Sequence, residues 1–258
     1  AAPRTASPLY LNRLHAAASS LGDVELTLKD IFESHPSLNR QPPNHVLIAN
    51  FMVDLGWLLD ECPCLQRVPK LTVFVGDGGQ GCSDDVLQLR AALGVETHVH
   101  TPPLPLQWGT HHSKFILMLY DDCIRVCVRT FNDIYSDFHC KSQAIYLQDF
   151  PSRAATCAHT GTDSFGADFE FRLRRYLERC GGFDTSCLSQ FDFSAAAVAL
   201  VASVPGYHRG AEVRDWGHMR LRHVLADHAV VPAHWESVGT HSEQGVVCQF
   251  SSLGSLTQ

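Results

Sequence analysis

The sequence predicts an α/β fold, and three consecutive segments carry the prediction. KLTVFVGD (70–77) is a short β-branched strand stopped by Gly76, Gly78 and Gly79. SDDVLQLRAALG (83–94) follows as a helix, with Ser83 placed to cap it, acids in its first turn and Gly94 beyond its end. VETHVHT (95–101) then returns as a strand, and strand, helix, strand in succession makes a crossover unit in an α/β sheet.

The flanking segments extend this pattern. HVLIANFMVDLGWLLDEC (45–62) begins as a buried strand and continues as a helix or a half-buried segment, closed by Pro63. Residues 112–120 and 124–132 are two strands joined through Asp121, Asp122 and Cys123, and KSQAIYLQDF (141–150) is a further strand. RAATCAHTGTDSFG is a polar loop. In ADFEFRLRRYLERCGG, Phe169, Leu173, Tyr176 and Cys180 recur at helical spacing, with two glycines just past the end. AAAVALVASVPG (195–206) is expected as a fully apolar strand and DWGHMRLRHVLADHA (215–229) as a second amphipathic helix. No segment repeats at a fixed period, and no break in composition demands a domain boundary.

Composition narrows the function classes. The chain has 258 residues, 45% hydrophobic and 18% charged, enough to bury a substantial core. It has no apolar run near the roughly 20 residues of a membrane helix, and AAPRTASPLY lacks the order of a signal peptide, so a soluble, unsecreted protein is expected. The ten cysteines are scattered, with no CxxC pair, and read as mostly reduced, buried thiols. A formal charge of −7 requires any nucleic-acid ligand to find a local basic patch. Arg172, Arg174, Arg175, Arg179, Arg220 and Arg222 would form one, or else a solvated helix face. His98 and His100 share one face of a strand, but no third metal ligand follows from spacing.

The chemistry concentrates in WGTHHSKFILMLYDDCIRVCVRTFN (108–132). His112 and Lys114 point the same way along a strand. A three-residue connection sets His112 opposite Asn132, on a face continued by Ile116, Met118, Ile124, Val126 and Val128. A two-residue connection turns Asn132 to the other face, because one step of register flips every side chain. A neutral imidazole is a nucleophile near pH 7, while an ammonium and a carboxamide donate to phosphoryl oxygens, so attack on phosphorus fits this trio. Taken singly, the same residues are more often a core histidine, a surface lysine and a turn asparagine, and only their combined spacing points to chemistry.

GTHHSKFILMLYDDCIRVCVRTFN resembles the first H-x-K…N motif of the tyrosyl-DNA phosphodiesterase family, a branch of the phospholipase D superfamily. DFHCKSQAIYL, ADFEFRLRRYLERC, SVPGYHRG, DWGHMRLRHVLADH and QFSSLGSL match in order, from about residue 9 onward and most weakly over 10–70. Phospholipases instead carry H-x-K-x4-D, whereas Leu119 stands five beyond Lys114 here. The resemblance implies a phospholipase D-like mixed β-sheet with helices on both faces, residues 1–258 forming one domain equivalent to the family's N-terminal half. On this reading the last 10 to 20 residues begin the second half.

It also implies a DNA-repair phosphodiesterase that needs no metal or other cofactor and acts in the nucleus on DNA 3′ ends carrying tyrosine or peptide. His112 would form the phosphohistidine, Lys114 and Asn132 would hold the non-bridging oxygens, and Gln143 would support His112. Trp108 would stack on a base, while Ser252 and Ser255 would lie near the DNA backbone. Phe131 departs from the small residue usual before the asparagine. The family uses two such motifs, and the other H-x-K here, His139 and Lys141, has no asparagine after it. The second motif is therefore expected from a C-terminal half or another protomer, and 258 residues alone should turn over little. The alternative is a non-catalytic DNA-end or protein-interaction module that retains half of the fold.

Overall fold

A computed structural model describes residues 8–14, 24–33, 42–76, 78–107, 109–154, 164–196 and 198–228. Its elements are β1 (Leu9–Asn12), β2 (Glu25–Leu26), α1 (Leu28–Phe32), β3 (His45–Asn50), α2 (Leu55–Glu61), β4 (Lys70–Val75), α3 (Asp84–Ala92) and β5 (Glu96–His100). They continue with β6 (Phe115–Leu119), β7 (Cys123–Arg129), α4 (Tyr135–Cys140), β8 (Ala144–Pro151), α5 (Ser164–Cys180) and α6 (Gly217–His228). The strands form one mixed sheet in the order β2-β1-β8-β7-β6-β3-β4-β5. β3, β4 and β5 are parallel neighbours, with α3 crossing between the last two, while β3, β6, β7 and β8 run antiparallel in turn.

Helices cover both faces. On one, Ile48, Val73, Ile116 and Cys127 pack against Leu28, Ile31, Leu55, Leu58 and Phe138 from α1, α2 and α4. On the other, Leu47, Phe74, Leu117 and Val126 meet Phe169, Leu173, Tyr176 and Leu177 of α5. The central strands are apolar on both sides because both sides are covered. Phe150, Phe169 and Phe193 stack within 4.8–5.9 Å of one another, and truncating any of them to Ala is expected to cost about 3–5 kcal/mol. Gly94, Gly181 and Gly182, with φ of 70°, 68° and 71°, end α3 and α5 where the sequence placed their stops. The eight described cysteines are free thiols. Among the described residues no helix is long and apolar enough to cross a membrane.

Two expectations fail. Leu119 pairs with Ile124, and the Tyr120 amide donates to the Cys123 carbonyl at 2.9 Å, so only Asp121 and Asp122 lie in the turn. This one-step shift puts Ile124, Val126 and Val128 on the face opposite Ile116 and Met118. It also brings Arg129 across from Lys114, whose carbonyl accepts the Arg129 amide at 3.0 Å. Neither 112–114 nor 130–132 is strand. The second failure is 195–206, whose described residues (195–196 and 198–206) form no strand. Val198, Leu200, Ala202 and Val204 instead pack on the α5 side of the core, satisfying their apolar character by covering a sheet face rather than by joining a ladder.

Candidate active site

The carboxyl ends of the parallel strands β3 and β4, the entry to β6 and the exit from β7 meet at one edge of the sheet, where α/β folds place their ligand crevices. Gly76, just past β4, lets the chain at His111 come close: a Cβ there would lie 2.1 Å from the His111 carbonyl oxygen. His111 is 2% exposed, wedged between Phe74 (6.3 Å) and Tyr176 (6.5 Å). Burial, then the Lys114 charge, lowers its pKa to about 4, so it is neutral. With His111 pinned on both sides, His112 projects outward, exposed, its ring 4.9 Å from that of Phe51.

The Lys114 ammonium lies 3.1 Å from both Nδ1 and the carbonyl oxygen of His112. Partial burial and then the Lys114 charge hold the His112 pKa below that of a free imidazole, keeping the ring neutral at pH 7. Lys114 is 8% exposed; its pKa falls to about 8, chiefly through desolvation, with Arg129 lowering it further while Asp137 and Asp133 raise it. While Lys114 is charged it donates to Nδ1, and the imidazole proton sits on Nε2. Attack through Nε2 therefore requires that proton to leave, and attack through Nδ1 requires the ammonium to swing from Nδ1 to a phosphoryl oxygen.

Asn132 lies past the end of β7, where the chain bends. Its amide nitrogen donates to Asp137 Oδ2 at 2.8 Å and its backbone N–H to the same oxygen at 3.1 Å, while its Oδ1 accepts from the Met52 amide at 3.4 Å. These partners, not His112 or Lys114, take its hydrogen bonds among the described residues. Gln143 lies further off: its side chain accepts from Thr130 Oγ1 and donates to the Asp137 carbonyl at 3.4 Å, so it braces α4 rather than His112. Trp108, Ser252 and Ser255 lie outside the described residues. Phe131 is fully buried 5.0 Å from Phe138 and does not occupy the site. His139 sits on α4 against Tyr135 and Trp57, and Lys141 pairs with Asp137, so the second H-x-K is built into the scaffold.

A cleft of about 610 Å³ opens beside His112, Ser113 and Lys114, walled by Val126, Val128, Leu173, Tyr176 and the 200–205 segment. Of the six arginines expected as a cationic patch, Arg222 is exposed and the other five are each paired with an acid. Arg172 binds Asp168 and Asp215, Arg175 binds Asp215, Arg174 binds Glu170, Arg179 binds Glu212 and Arg220 binds Asp168. His100 Nε2 donates to the Cys180 carbonyl (2.8 Å), and no set of three or more metal-binding side chains forms among the described residues. Sequence reasoning missed Arg129, Asp133 and Asp137. The acids following the asparagine in FNDIYSD signalled the latter two, but their partners depend on a bend that no strand pattern reveals.

Comparison with known proteins decides the kinship. The sequence profile of the tyrosyl-DNA phosphodiesterase family matches residues 8–258. The chain belongs to that family. A tyrosyl-DNA phosphodiesterase of Arabidopsis thaliana is 34% identical over 226 residues, covering 82% of this chain and 35% of the plant protein. The Drosophila melanogaster relative is 29% identical over 265 residues, covering 98% and 40%. A solved structure of yeast tyrosyl-DNA phosphodiesterase matches with a TM-score of 0.58 over 85% of this chain and 49% of the yeast chain, at 17% identity, which shows a shared fold. The chain thus spans under half the length of these family members.

Proposed function

We propose that residues 1–258 are the His112-bearing half of a DNA-repair phosphodiesterase, a single phospholipase D-like domain acting in the nucleus on DNA 3′ ends that carry tyrosine or peptide. The observation that carries the reading is a neutral, exposed imidazole with an ammonium 3.1 Å from its Nδ1, at the rim of a cleft, in a chain of this family. The lone pair of a His112 ring nitrogen attacks phosphorus, the bond from phosphorus to the tyrosine oxygen breaks, and the leaving oxygen takes the electron pair and then a proton. Water cleaves the resulting P–N bond to leave a 3′-phosphate. Lys114 offsets charge on the non-bridging oxygens. Asn132 joins it once its amide leaves Asp137 or through its second N–H, and Gln143 acts through α4. Trp108, Ser252 and Ser255 are assigned to the DNA. A second H-x-K…N motif, from further chain or another protomer, protonates the leaving oxygen and activates the water.

A second reading has its own support: the Asn132 amide is committed to Asp137, as suits a module that binds DNA ends or a protein without chemistry. Single turnover with a 3′-phosphotyrosyl oligonucleotide separates the two. A covalent adduct trapped with the chain and lost in His112→Ala supports the enzyme. Binding without adduct, unchanged in His112→Ala, supports the module.

A further inference from the structure

Directly beneath Lys114 the fold holds an ion pair that packing alone does not require. Arg129 stands across the strand pair from Lys114, and residues opposite each other in an antiparallel ladder share a face, where like charges repel. Its Nη2 donates to Asp133, and both side chains are wholly buried. Asp133 Oδ2 also accepts from Asn50 at 3.0 Å, while Arg129 lies 5.0 Å over the Phe131 ring. Yet Nε and Nη1 of Arg129 and Oδ1 of Asp133 have no hydrogen-bond partner among the described residues. A buried, partly unsatisfied ion pair is generally less stabilising than apolar residues of the same volume. Its position points to another use.

We propose that Arg129 and Asp133 are positioning residues that set the charge and the aim of Lys114 beside His112. The Arg129 guanidinium below presses the ammonium toward the His112 Nδ1 and carbonyl, while Asp133 keeps the two cations from expelling one another. The charged and titratable groups facing Lys114 are His111 and His112 on its own segment, Arg129 and Asp133 at the exit of β7, and Asp137 on α4. Removing the cation should make Lys114 easier to protonate, and removing the anion should make it harder. A merely structural pair would not give opposite signs.

The chain has four lysines, Lys29, Lys70, Lys114 and Lys141, so an NMR titration of the 13C-lysine-labelled full chain resolves each, with Lys114→Arg assigning the signal. Arg129→Gln should raise the Lys114 pKa by about one unit and Asp133→Asn should lower it by about one. Arg129→Lys, which keeps the cation, should restore most of the wild-type value. Either neutralising variant decides the matter if the other fails to fold: shifts of the same sign, or no shift in a folded variant, overturn the proposal. The titration does not depend on the proposed reaction. If Lys114 moves as expected while no variant or wild-type chain forms a DNA adduct, the functional reading fails and the positioning role stands. If adduct forms, the alkaline limb of its pH profile moves with Lys114.

Discussion

Gly76→Ala tests whether the site is set by backbone contact. The added methyl would lie 2.1 Å from the His111 carbonyl oxygen, 2.8 Å from Phe51 Cδ2 and 3.0 Å from Phe51 Cα, whereas ordinary contact begins near 3.4 Å. The carbonyl must therefore retreat by about 1.3 Å (3.4 − 2.1) or Gly76 must move by as much. Gly76 is held by its amide, which donates to the carbonyls of Asn50 and Phe51 at 3.0 and 3.1 Å, so His111 yields and carries His112 with it. Overpacking of this kind costs about 1–3 kcal/mol of stability. If His112 is the nucleophile as proposed, a displacement near 1 Å there costs about a hundredfold in rate. Thermal unfolding, single-turnover adduct formation and the NMR shift of His112 against Phe51 read the three effects. A variant with wild-type melting, His112 shift and adduct rate refutes the contact as the determinant of His112 placement.

Other predictions follow from the same geometry. In the proposed reaction adduct formation needs neutral His112, whose pKa is lowered, and charged Lys114, whose pKa is about 8, so the rate should persist below pH 6.5 and fall above about pH 8; a rate still climbing at pH 9 rules this out. Buried His111, at about 4 in the folded chain against 6.5 unfolded, contributes stability that is complete above pH 6.5 and lost as pH falls toward 4, roughly 3 kcal/mol in all; an unchanged pH slope of the urea midpoint in His111→Phe contradicts this. Asp137→Asn leaves one acceptor oxygen in place of two, so it loses either the two Asn132 hydrogen bonds or the Lys141 contact, and in both cases the charge, which should cost about 1–2 kcal/mol and slow adduct formation about tenfold; an unaltered rate separates Asn132 from the chemistry. Arg172→Ala and Arg175→Ala should leave the salt dependence of DNA affinity unchanged, since both are already paired with Asp215; a slope smaller by about one per substitution would identify phosphate contacts.

The crossover unit was legible because each of its segments carries its own signal: β-branched runs for β4 and β5, an acidic start and a glycine stop for α3. The hairpin register was not, because Cys123 fits a turn or a strand equally well, and the choice falls to its pairing with Tyr120 and Pro151. Apolar composition without periodicity at 195–206 marks burial but not a ladder partner. The acid–arginine pairs four apart on α5 were readable from spacing. Those to Asp215 depend on the return of the chain 40 and 43 residues later. The kinship of His112, Lys114 and Asn132 was visible in the motif, whereas the turn of Asn132 toward Asp137 belongs to the bend after β7.

Asn12 ties β1 to the far side of the site. Its side chain donates to the carbonyls of Phe138 and Lys141 and accepts from the Gln143 amide at 2.7 Å, across 126 to 131 positions of chain. During synthesis the His112 segment is therefore made before α4 and its anchor are in place: the brace behind α4 closes only when the first strand meets the last. Closure of this brace is a long-loop event in folding, and until it occurs the growing polypeptide carries His112 without the anchored α4 that holds Asn132.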